Sequence, residues 1–206
     1  MTPLAVIFDI GNVLIEWQPE RYFDRICGPD RRRALFAAVD IHAMMQRIDS
    51  GAGFATEVAR VASAYPDFAS EILRIRDHWS DIAQPAIPGS VRLLRALRAR
   101  GVPVFALSNF GAENFPLSAA QFPFLTEFDR AYISGPMGMA KPDPAIYAAV
   151  EADCGIAPAR LLFTDDRAEN IAVARARGWQ VHLFDGAPRF AQCLVIAGLL
   201  TQGDIE

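Results

Sequence analysis

Polar side chains on four separate segments of this 206-residue chain could do chemistry together. Each segment follows a short apolar run that reads as a buried strand, or the loop after such a run: Asp9, Ser108–Asn109, Lys141 and Asp165–Asp166. A single one of these sites would be explained as a turn or a helix cap. Four of them in order predict a shared site, because parallel strands bring polar groups to one edge of a sheet.

The adjacent carboxylates Asp165 and Asp166 are the strongest single indication of such a site. Two like charges at the end of a buried strand are costly unless a cation is present. Together with Asp9 they offer the hard oxygen ligands that Mg²⁺ prefers, and Mg²⁺ also binds substrate phosphate. Asp9 could then attack phosphorus and form an aspartyl-phosphate, while Lys141 and the Ser108 hydroxyl stabilise the transferring group.

Strands and helices must position these residues. Both are predicted from the alternation of apolar runs with amphipathic helical patterns. This alternation predicts an α/β fold with a parallel, doubly wound sheet. The runs that read as buried strands are residues 4–8, 102–107, 131–133, 161–163 and 181–184. Helical patterns cover residues 91–98, 144–152 and 168–177.

One stretch interrupts this alternation. About ninety residues separate the first strand from the second, far more than a crossover needs. Residues 19–82 read as helices, and Gln18 before Pro19 marks a hinge, because a residue that precedes proline avoids the helical region. We therefore predict a helical insertion, residues 17–85, called the cap below, in a core of residues 1–16 and 86–206. It should cover the site, because it leaves the core just past the end of strand one.

Composition and charge argue against several classes of function. Hydrophobic residues make up 52% of the chain and the net charge is −4, so no general attraction to nucleic acid or to a membrane surface is expected. Three scattered cysteines predict neither a zinc site nor a disulfide framework, and they fit a reducing cytoplasm. Neither a signal peptide nor a membrane-spanning run is expected. The oligomeric state stays open between a monomer and a homodimer.

Four motifs resemble those of the haloacid dehalogenase-like (HAD) hydrolase superfamily. They are residues 6–14, 107–109, 141–144 and 163–166, with Asn170 behind the last one. The resemblance covers nearly the whole chain and implies a Rossmann-like, three-layer α/β/α core with a small helical cap. Within the superfamily the chain looks closest to bacterial phosphatases of the α-D-glucose-1-phosphate type, which implies a small phosphorylated sugar as the substrate.

The resemblance also implies roles for individual residues. Asp9 would be the nucleophile, with Ser108 and Lys141 as further catalytic residues. Mg²⁺ would be held by Asp9, by the backbone carbonyl of Gly11 and by Asp166, with Asp165 as a further candidate. The substrate phosphate would be bound by Ser108, Asn109 and Lys141.

Gly11 marks a departure from the superfamily pattern. Most phosphatases of this kind carry a second aspartate two positions after the nucleophile, as general acid and base. General acid catalysis is commonly worth roughly a hundredfold or more, so ordinary alkyl phosphates should react slowly here. Three outcomes stay open: a substrate with a good leaving group such as an anomeric or acyl phosphate, low activity, or a proton donor from the cap. The candidate donors are Asp40, His42 and Asp49.

Two other functions remain as alternatives. A 2-haloacid dehalogenase would use Asp9 to attack carbon and would expel halide without a proton donor or Mg²⁺. Dehalogenases of the superfamily usually carry Tyr-Gly-Thr after the nucleophile and lack an adjacent acidic pair, whereas this chain has Ile10–Asn12 and Asp165–Asp166. The pattern therefore favours a phosphatase. A non-catalytic binding module would have lost Asp9 or Lys141, and both are present.

Overall fold

The computed structural model of the chain describes residues 1–205. Its five strands are β1 (Ala5–Phe8), β2 (Val104–Ser108), β3 (Arg130–Ile133), β4 (Leu161–Asp165) and β5 (Gln180–Leu183). They form one sheet in the order β3-β2-β1-β4-β5, and every neighbouring pair is parallel. The predicted α/β fold with a parallel sheet is confirmed.

Helices cover both faces of this sheet and form the segment inserted after β1. Within residues 1–205 the α-helices are α1 (Pro19–Ala38), α2 (Ile41–Asp49), α3 (Phe54–Ala64), α4 (Ala69–Asp77), α5 (Trp79–Ile82), α6 (Pro88–Ala99), α7 (Asn114–Gln121), α8 (Ser134–Met137), α9 (Pro144–Cys154), α10 (Ala168–Ala176) and α11 (Ala187–Ile196). α6 and α11 contribute to the apolar cluster on one face of the sheet, and α9 and α10 to the cluster on the other face.

Side chains of the central strands alternate between these two clusters, as the pleat of a strand requires. In β1, Val6 and Phe8 belong to one cluster, whereas Ala5 and Ile7 belong to the other. All four residues are fully buried, which explains why the strand reads as a continuous apolar run instead of an alternating one.

The cap consists of helices α1 to α5, as predicted for residues 19–82. α1 is interrupted at Gly28, whose φ of 81° lies in the left-handed region that favours glycine, directly before Pro29. α2 begins after Asp40, whose side chain accepts a hydrogen bond of 2.8 Å from the amide of Ala43. The boundaries of the cap at residues 17 and 85 stay a prediction.

The two chain segments that connect the cap to the core run side by side. The amide of Glu16 donates to the carbonyl of Pro85 at 2.8 Å, and the amide of Ile87 donates to the carbonyl of Leu14 at 2.7 Å. Ile15 and Ala86 form an isolated antiparallel bridge between these bonds. Both connections are therefore fixed close to β1, next to the carboxyl edge of the sheet.

The cap and one face of the sheet share a single buried apolar cluster. Phe23, Met44 and Ile48 of the cap belong to the same cluster as Val6 and Phe8 of β1. The cap therefore packs on the core through apolar contacts, in addition to its two covalent connections. No helix among residues 1–205 has both the length and the apolar character that crossing a bilayer demands.

Candidate active site

The predicted site residues converge at the carboxyl edge of the sheet. Asp9 follows the central strand β1, Ser108 ends the neighbouring strand β2, and Asp165 ends β4 on the other side. Lys141 lies in the loop between α8 and α9. The strand order reverses its direction at β1, and such switch points are where open parallel sheets bind ligands.

The carboxylate of Asp9 is held through one of its two oxygens. Oδ1 accepts hydrogen bonds from the amide of Ile10 at 2.7 Å and from the hydroxyl of Ser108 at 2.8 Å. The same oxygen lies 3.0 Å from Nζ of Lys141. Within residues 1–205 no group donates a hydrogen bond to Oδ2. The carboxylate is thus fixed in orientation while one oxygen stays available, which is the arrangement that a carboxylate nucleophile needs.

Lys141 is a buried cation with two carboxylate partners. Nζ donates to Oδ2 of Asp165 at 2.6 Å and lies 5.5 Å from the ring centre of Phe163. Burial acts to lower the pKa of Lys141, but the charges of Asp165 and Asp9 outweigh it and raise that pKa. The side chain therefore carries a positive charge beside the carboxylate of Asp9, in contact with Oδ1.

Asn109 fixes the backbone of Lys141. Its amide nitrogen donates to the carbonyl of Lys141 at 2.8 Å, and its amide oxygen accepts from the amide of Lys141 at 2.8 Å. Both ends of the side chain are used in this reciprocal pair. The structure thus gives Asn109 a positioning contact, and its predicted contact with the substrate stays a prediction.

Asp165 is fully buried and both of its oxygens accept hydrogen bonds. Oδ1 accepts from the amide of Arg167 at 2.8 Å, and Nδ2 of Asn170 lies 3.0 Å from each of the two oxygens. Oδ2 also binds Lys141. This arrangement holds Lys141 in place, and the role of Asp165 as a direct metal ligand stays a prediction.

Three carboxylates gather around a small volume at this edge. Oxygen atoms of Asp9, Asp165 and Asp166 lie within 4.8 Å of one another. Burial in the first place, and then the neighbouring charge of Asp165, raise the pKa of Asp166. Burial and the charges of Asp165 and Asp166 likewise raise the pKa of Asp9, against the opposing effect of Lys141. One lysine does not balance three carboxylates, so the cluster fits a divalent cation with oxygen ligands.

Asn12 is a residue of the site that the sequence did not single out. Its Nδ2 donates to Oδ2 of Asp166 at 3.2 Å, and its Oδ1 accepts from the amide of Trp17 at 2.9 Å. Its φ of 54° is positive, a conformation that asparagine tolerates better than most residues. A glycine–asparagine pair directly after a strand was the signal that could have identified it.

A cavity of about 860 Å³ separates the cap from the carboxyl edge of the sheet. Asp9, Gly11, Ser108, Asn109, Lys141 and Asp166 all line it. Trp17 and Trp79 form an aromatic part of its wall, with their ring centres 4.9 Å apart. Phe110 continues this wall, 5.6 Å from Trp79.

The three candidate proton donors of the cap differ in position. Asp49 and His42 line the cavity. Asp40 is exposed and uses its side chain to cap α2, so it does not reach the site. The structure thus reduces the candidates from three to two.

Comparison with known proteins gives the family. The family model described as haloacid dehalogenase-like hydrolase matches residues 3–178, which is most of the chain. The chain belongs to this family. The five-stranded parallel sheet, the helical insertion after β1 and the carboxylate at the end of β1 are therefore features of a HAD-like hydrolase.

Two curated fungal proteins are similar in sequence to this HAD-like hydrolase. Drimenol cyclase drtB of Aspergillus calidoustus is 26% identical over 192 residues, which cover 87% of this chain and 34% of that protein. Sesquiterpene phosphatase astK of Aspergillus oryzae is 32% identical over 109 residues, which cover 52% of this chain and 54% of that protein. The matched regions thus span about a third and about half of the length of these relatives.

Solved structures of the family share the fold at low sequence identity. A HAD family enzyme from Bacteroides thetaiotaomicron has a TM-score of 0.70 and 22% identity, and the match covers 94% of this chain and 99% of that chain. Its complex with magnesium and inorganic phosphate has a TM-score of 0.65 and 22% identity, with 89% and 95% covered. L-2-haloacid dehalogenase from Xanthobacter autotrophicus, with chloropropionic acid covalently bound, has a TM-score of 0.62 and 18% identity, with 96% and 84% covered.

Proposed function

We propose that this HAD-like hydrolase is a Mg²⁺-dependent phosphatase that acts on a small phosphorylated metabolite through an aspartyl-phosphate on Asp9. The observation that carries the proposal is the unequal environment of the two oxygens of Asp9. Three donors hold Oδ1, while Oδ2 is left without a donor next to the charged Lys141. A fixed carboxylate beside a fixed cation suits attack on an anionic phosphate.

Each residue of the site has a part in this reaction. Oδ2 of Asp9 attacks phosphorus, and the bond between phosphorus and the leaving oxygen breaks with its electron pair on that oxygen. Lys141 stabilises the charge of the transferring group. The Ser108 hydroxyl donates to Oδ1 of Asp9 and keeps Oδ2 aligned for the attack. Water then hydrolyses the acyl phosphate and regenerates Asp9.

Mg²⁺ would be held by Asp9, Asp166 and the backbone carbonyl of Gly11, all of which line the cavity. It would neutralise charge between the carboxylates and the phosphate, which otherwise repel each other. We assign Asp165 to holding Lys141, because its oxygens already accept hydrogen bonds. Solved neighbours of this fold include a complex with magnesium and inorganic phosphate, which supports the assignment of this cation.

A 2-haloacid dehalogenase is the alternative that the fold alone would equally allow. Solved neighbours include a haloacid dehalogenase as well as the magnesium and phosphate complex. Dehalogenation requires no cation, and it would leave Asp9, Asp165 and Asp166 crowded around a single lysine. This unbalanced negative charge favours the phosphatase.

For the substrate we propose a sugar phosphate of the glucose-1-phosphate type. The cavity has room for such a molecule, and the Trp17–Trp79 wall offers an aromatic face for a ring. An anomeric phosphate also has a better leaving group than an ordinary alkyl phosphate. The similarity to a sesquiterpene phosphatase makes a terpenyl phosphate the second substrate to examine, because the same wall would pack against a hydrocarbon chain.

Asp9→Asn tests the proposed mechanism. We expect the variant to lose all detectable phosphate release, since an amide oxygen cannot form the acyl phosphate. Phosphate release would be measured with and without Mg²⁺ on hexose phosphates, an acyl phosphate and a terpenyl phosphate, beside halide release from 2-haloacids. Asp30→Asn, which removes an exposed carboxylate of α1, is the matched control. Substantial turnover by Asp9→Asn, or halide release by the wild type without phosphate release, contradicts the proposal.

Two predictions from the sequence stay predictions. The cytoplasmic location is supported by three free thiols, Cys27, Cys154 and Cys193. The oligomeric state stays between a monomer and a homodimer, and light scattering of the purified protein would decide between them.

A further inference from the structure

With Gly11 in place of the usual aspartate, the proposed phosphatase lacks the common proton donor for the leaving group. Gly11 lines the cavity, and a Cβ built on it would meet no atom within 4 Å. The position therefore has space for a side chain, and its lack of one is not imposed by packing. A hydrolase that acts on alkyl esters needs another acid within reach of the leaving oxygen.

The end of α2 brings a carboxyl group into this cavity. Asp49 is the last residue of α2 and lines the cavity together with Asp9 and Lys141. Within residues 1–205 no group donates a hydrogen bond to its carboxyl group. An unpaired carboxyl group of the cap that lines the same cavity as the proposed nucleophile indicates a function that involves the substrate.

The residues around Asp49 fix it against the core. Ile48 is fully buried, and its Cγ2 would lie 2.5 Å from a Cβ built on Gly111, in the loop that follows β2. A Cβ on Gly51 would lie 3.5 Å from the carbonyl oxygen of Gly135 in α8. Residues on both sides of Asp49 thus contact the loops that carry the site, so its distance from the nucleophile is set by packing and not by a mobile loop.

We propose that Asp49 is the general acid of this enzyme and takes the part of the aspartate that is absent at Gly11. This inference rests on the proposed phosphatase function. As the bond between phosphorus and the leaving oxygen breaks, the carboxylic acid of Asp49 gives its proton to that oxygen, and an alcohol leaves. The resulting carboxylate then accepts a proton from the water that attacks the acyl phosphate, which restores the acid.

The electrostatics of the cavity support this role. Burial raises the pKa of Asp49 to about 7, against the opposing effect of Lys141. A carboxyl group with such a pKa is partly protonated at neutral pH, which suits an acid that must also act as a base. The other titratable and charged groups that line the cavity are Asp9, Glu20, His42, Lys141, Asp143, Asp166 and Arg167. His42, the other candidate in the cap, is exposed at the surface.

The test compares how much Asp49→Asn slows the reaction of substrates that have different leaving groups. We expect kcat/KM to fall roughly a hundredfold on alkyl phosphates, and less than about threefold on p-nitrophenyl phosphate, whose leaving group needs no proton. Asp40→Asn, which replaces the exposed carboxylate that caps the opposite end of α2, should leave both values unchanged. An equal fall on both substrates, or no fall on either, overturns the inference.

Two further measurements separate a proton donor from a structural role. In the wild type, the ratio of the alkyl to the p-nitrophenyl rate should fall as pH rises through about 7, because the acid form is lost, and in Asp49→Asn this ratio should not depend on pH. Gly11→Asp in the Asp49→Asn background should restore part of the alkyl activity. A ratio that keeps its pH dependence in Asp49→Asn overturns the inference. A wild type that releases no phosphate from p-nitrophenyl phosphate instead contradicts the proposed function itself, and the inference with it.

Discussion

At the scale of single residues, Lys141 connects the separate parts of the site. Its Nζ contacts Asp9 and Asp165, and its backbone is held by Asn109, so strands β1, β2 and β4 all contribute to its position. Only 5% of the residue is exposed. Its charge is therefore weakly screened by solvent and strongly coupled to the two carboxylates.

Replacement of this lysine by an apolar side chain of similar length should destabilise the protein. In Lys141→Met the carboxylates of Asp9 and Asp165 lose their buried counter-charge, and breaking such a pair from one side costs about 3 kcal/mol or more. We expect this loss in the free energy of unfolding, measured by urea denaturation at neutral pH in the presence of a chelator.

The double variant Lys141→Met with Asp165→Asn is the matched control for this measurement. It removes one of the stranded charges and should recover part of the lost stability. Unchanged stability in Lys141→Met would mean that the carboxylates are already neutral in the folded protein.

At the level of elements, the loop after β2 and the start of α8 approach each other closely behind the site. A Cβ built on Gly135 would lie 2.5 Å from the amide nitrogen of Ala112 and 2.9 Å from the backbone of Gly111. The amide of Gly135 also donates to the carbonyl of Phe110 at 2.9 Å. This contact keeps the loop that contains Asn109 close to the segment that leads to Lys141.

Gly135→Ala should therefore damage both stability and activity. The added methyl group meets backbone atoms that cannot move aside as a flexible side chain would, and overpacking of this kind costs about 1–3 kcal/mol. We expect a lower Tm and a lower kcat, measured by thermal denaturation and phosphate release. Gly203→Ala is the control, because a Cβ there meets only the Thr201 hydroxyl at 4.0 Å. A wild-type Tm in Gly135→Ala would contradict the proposed rigidity of this contact.

The strands and helices also show what the sequence could and could not predict. All five strands were found. The central strands β1, β2 and β4 are buried throughout and read as apolar runs with polar site residues at their ends, whereas the edge strands β3 and β5 are partly exposed and were found from shorter apolar stretches. Helices α7, α8 and α11 were not predicted: α7 has Pro116 near its start, α8 is only one turn long, and α11 begins after Gly186 in a loop without a clear cap. Turn and proline signals obscured these helices.

The sequence also predicted that the candidate site residues lie close together, which the structure shows, whereas their roles stay predictions. The residues at the strand ends were predicted to lie close together, because the topology of a parallel sheet decides where the strand ends meet. Asn12 was missed because its contact with Asp166 depends on the positive φ of a single turn. The choice among Asp40, His42 and Asp49 stayed open, because it depends on how α2 packs against the core, and periodicity carries no information on that contact.

At the level of the whole molecule, the cap and the core form one packed body around a negatively charged pocket. They share one apolar cluster, so opening the pocket by moving the whole cap would expose buried side chains. The excess of carboxylates at Asp9, Asp165 and Asp166 opposes folding when no cation is present.

Mg²⁺ should therefore stabilise the folded protein. A ligand at a hundred times its Kd adds about 2.7 kcal/mol to the free energy of unfolding, so we expect a clear rise in Tm with millimolar Mg²⁺. Asp166→Asn should reduce the rise, because it removes one of the proposed ligands of the cation. The control variant Asp30→Asn removes one exposed carboxylate and should show the same rise in Tm as the wild type. The same rise in Asp166→Asn as in the wild type would remove Asp166 from the ligand set.

Lys141 is also the only lysine among the 206 residues, and the other nineteen of the twenty Lys and Arg residues are arginines. Apart from the α-amino group, the chain thus has one primary amine, and it lies 3.0 Å from Asp9, the proposed nucleophile. Because this side chain is 1% exposed and its pKa is raised, reductive methylation followed by mass spectrometry should label it much more slowly than the α-amino group, and faster labelling would report opening of the site. A ligand that fills the pocket should slow the labelling of this amine and leave that of the α-amino group unchanged.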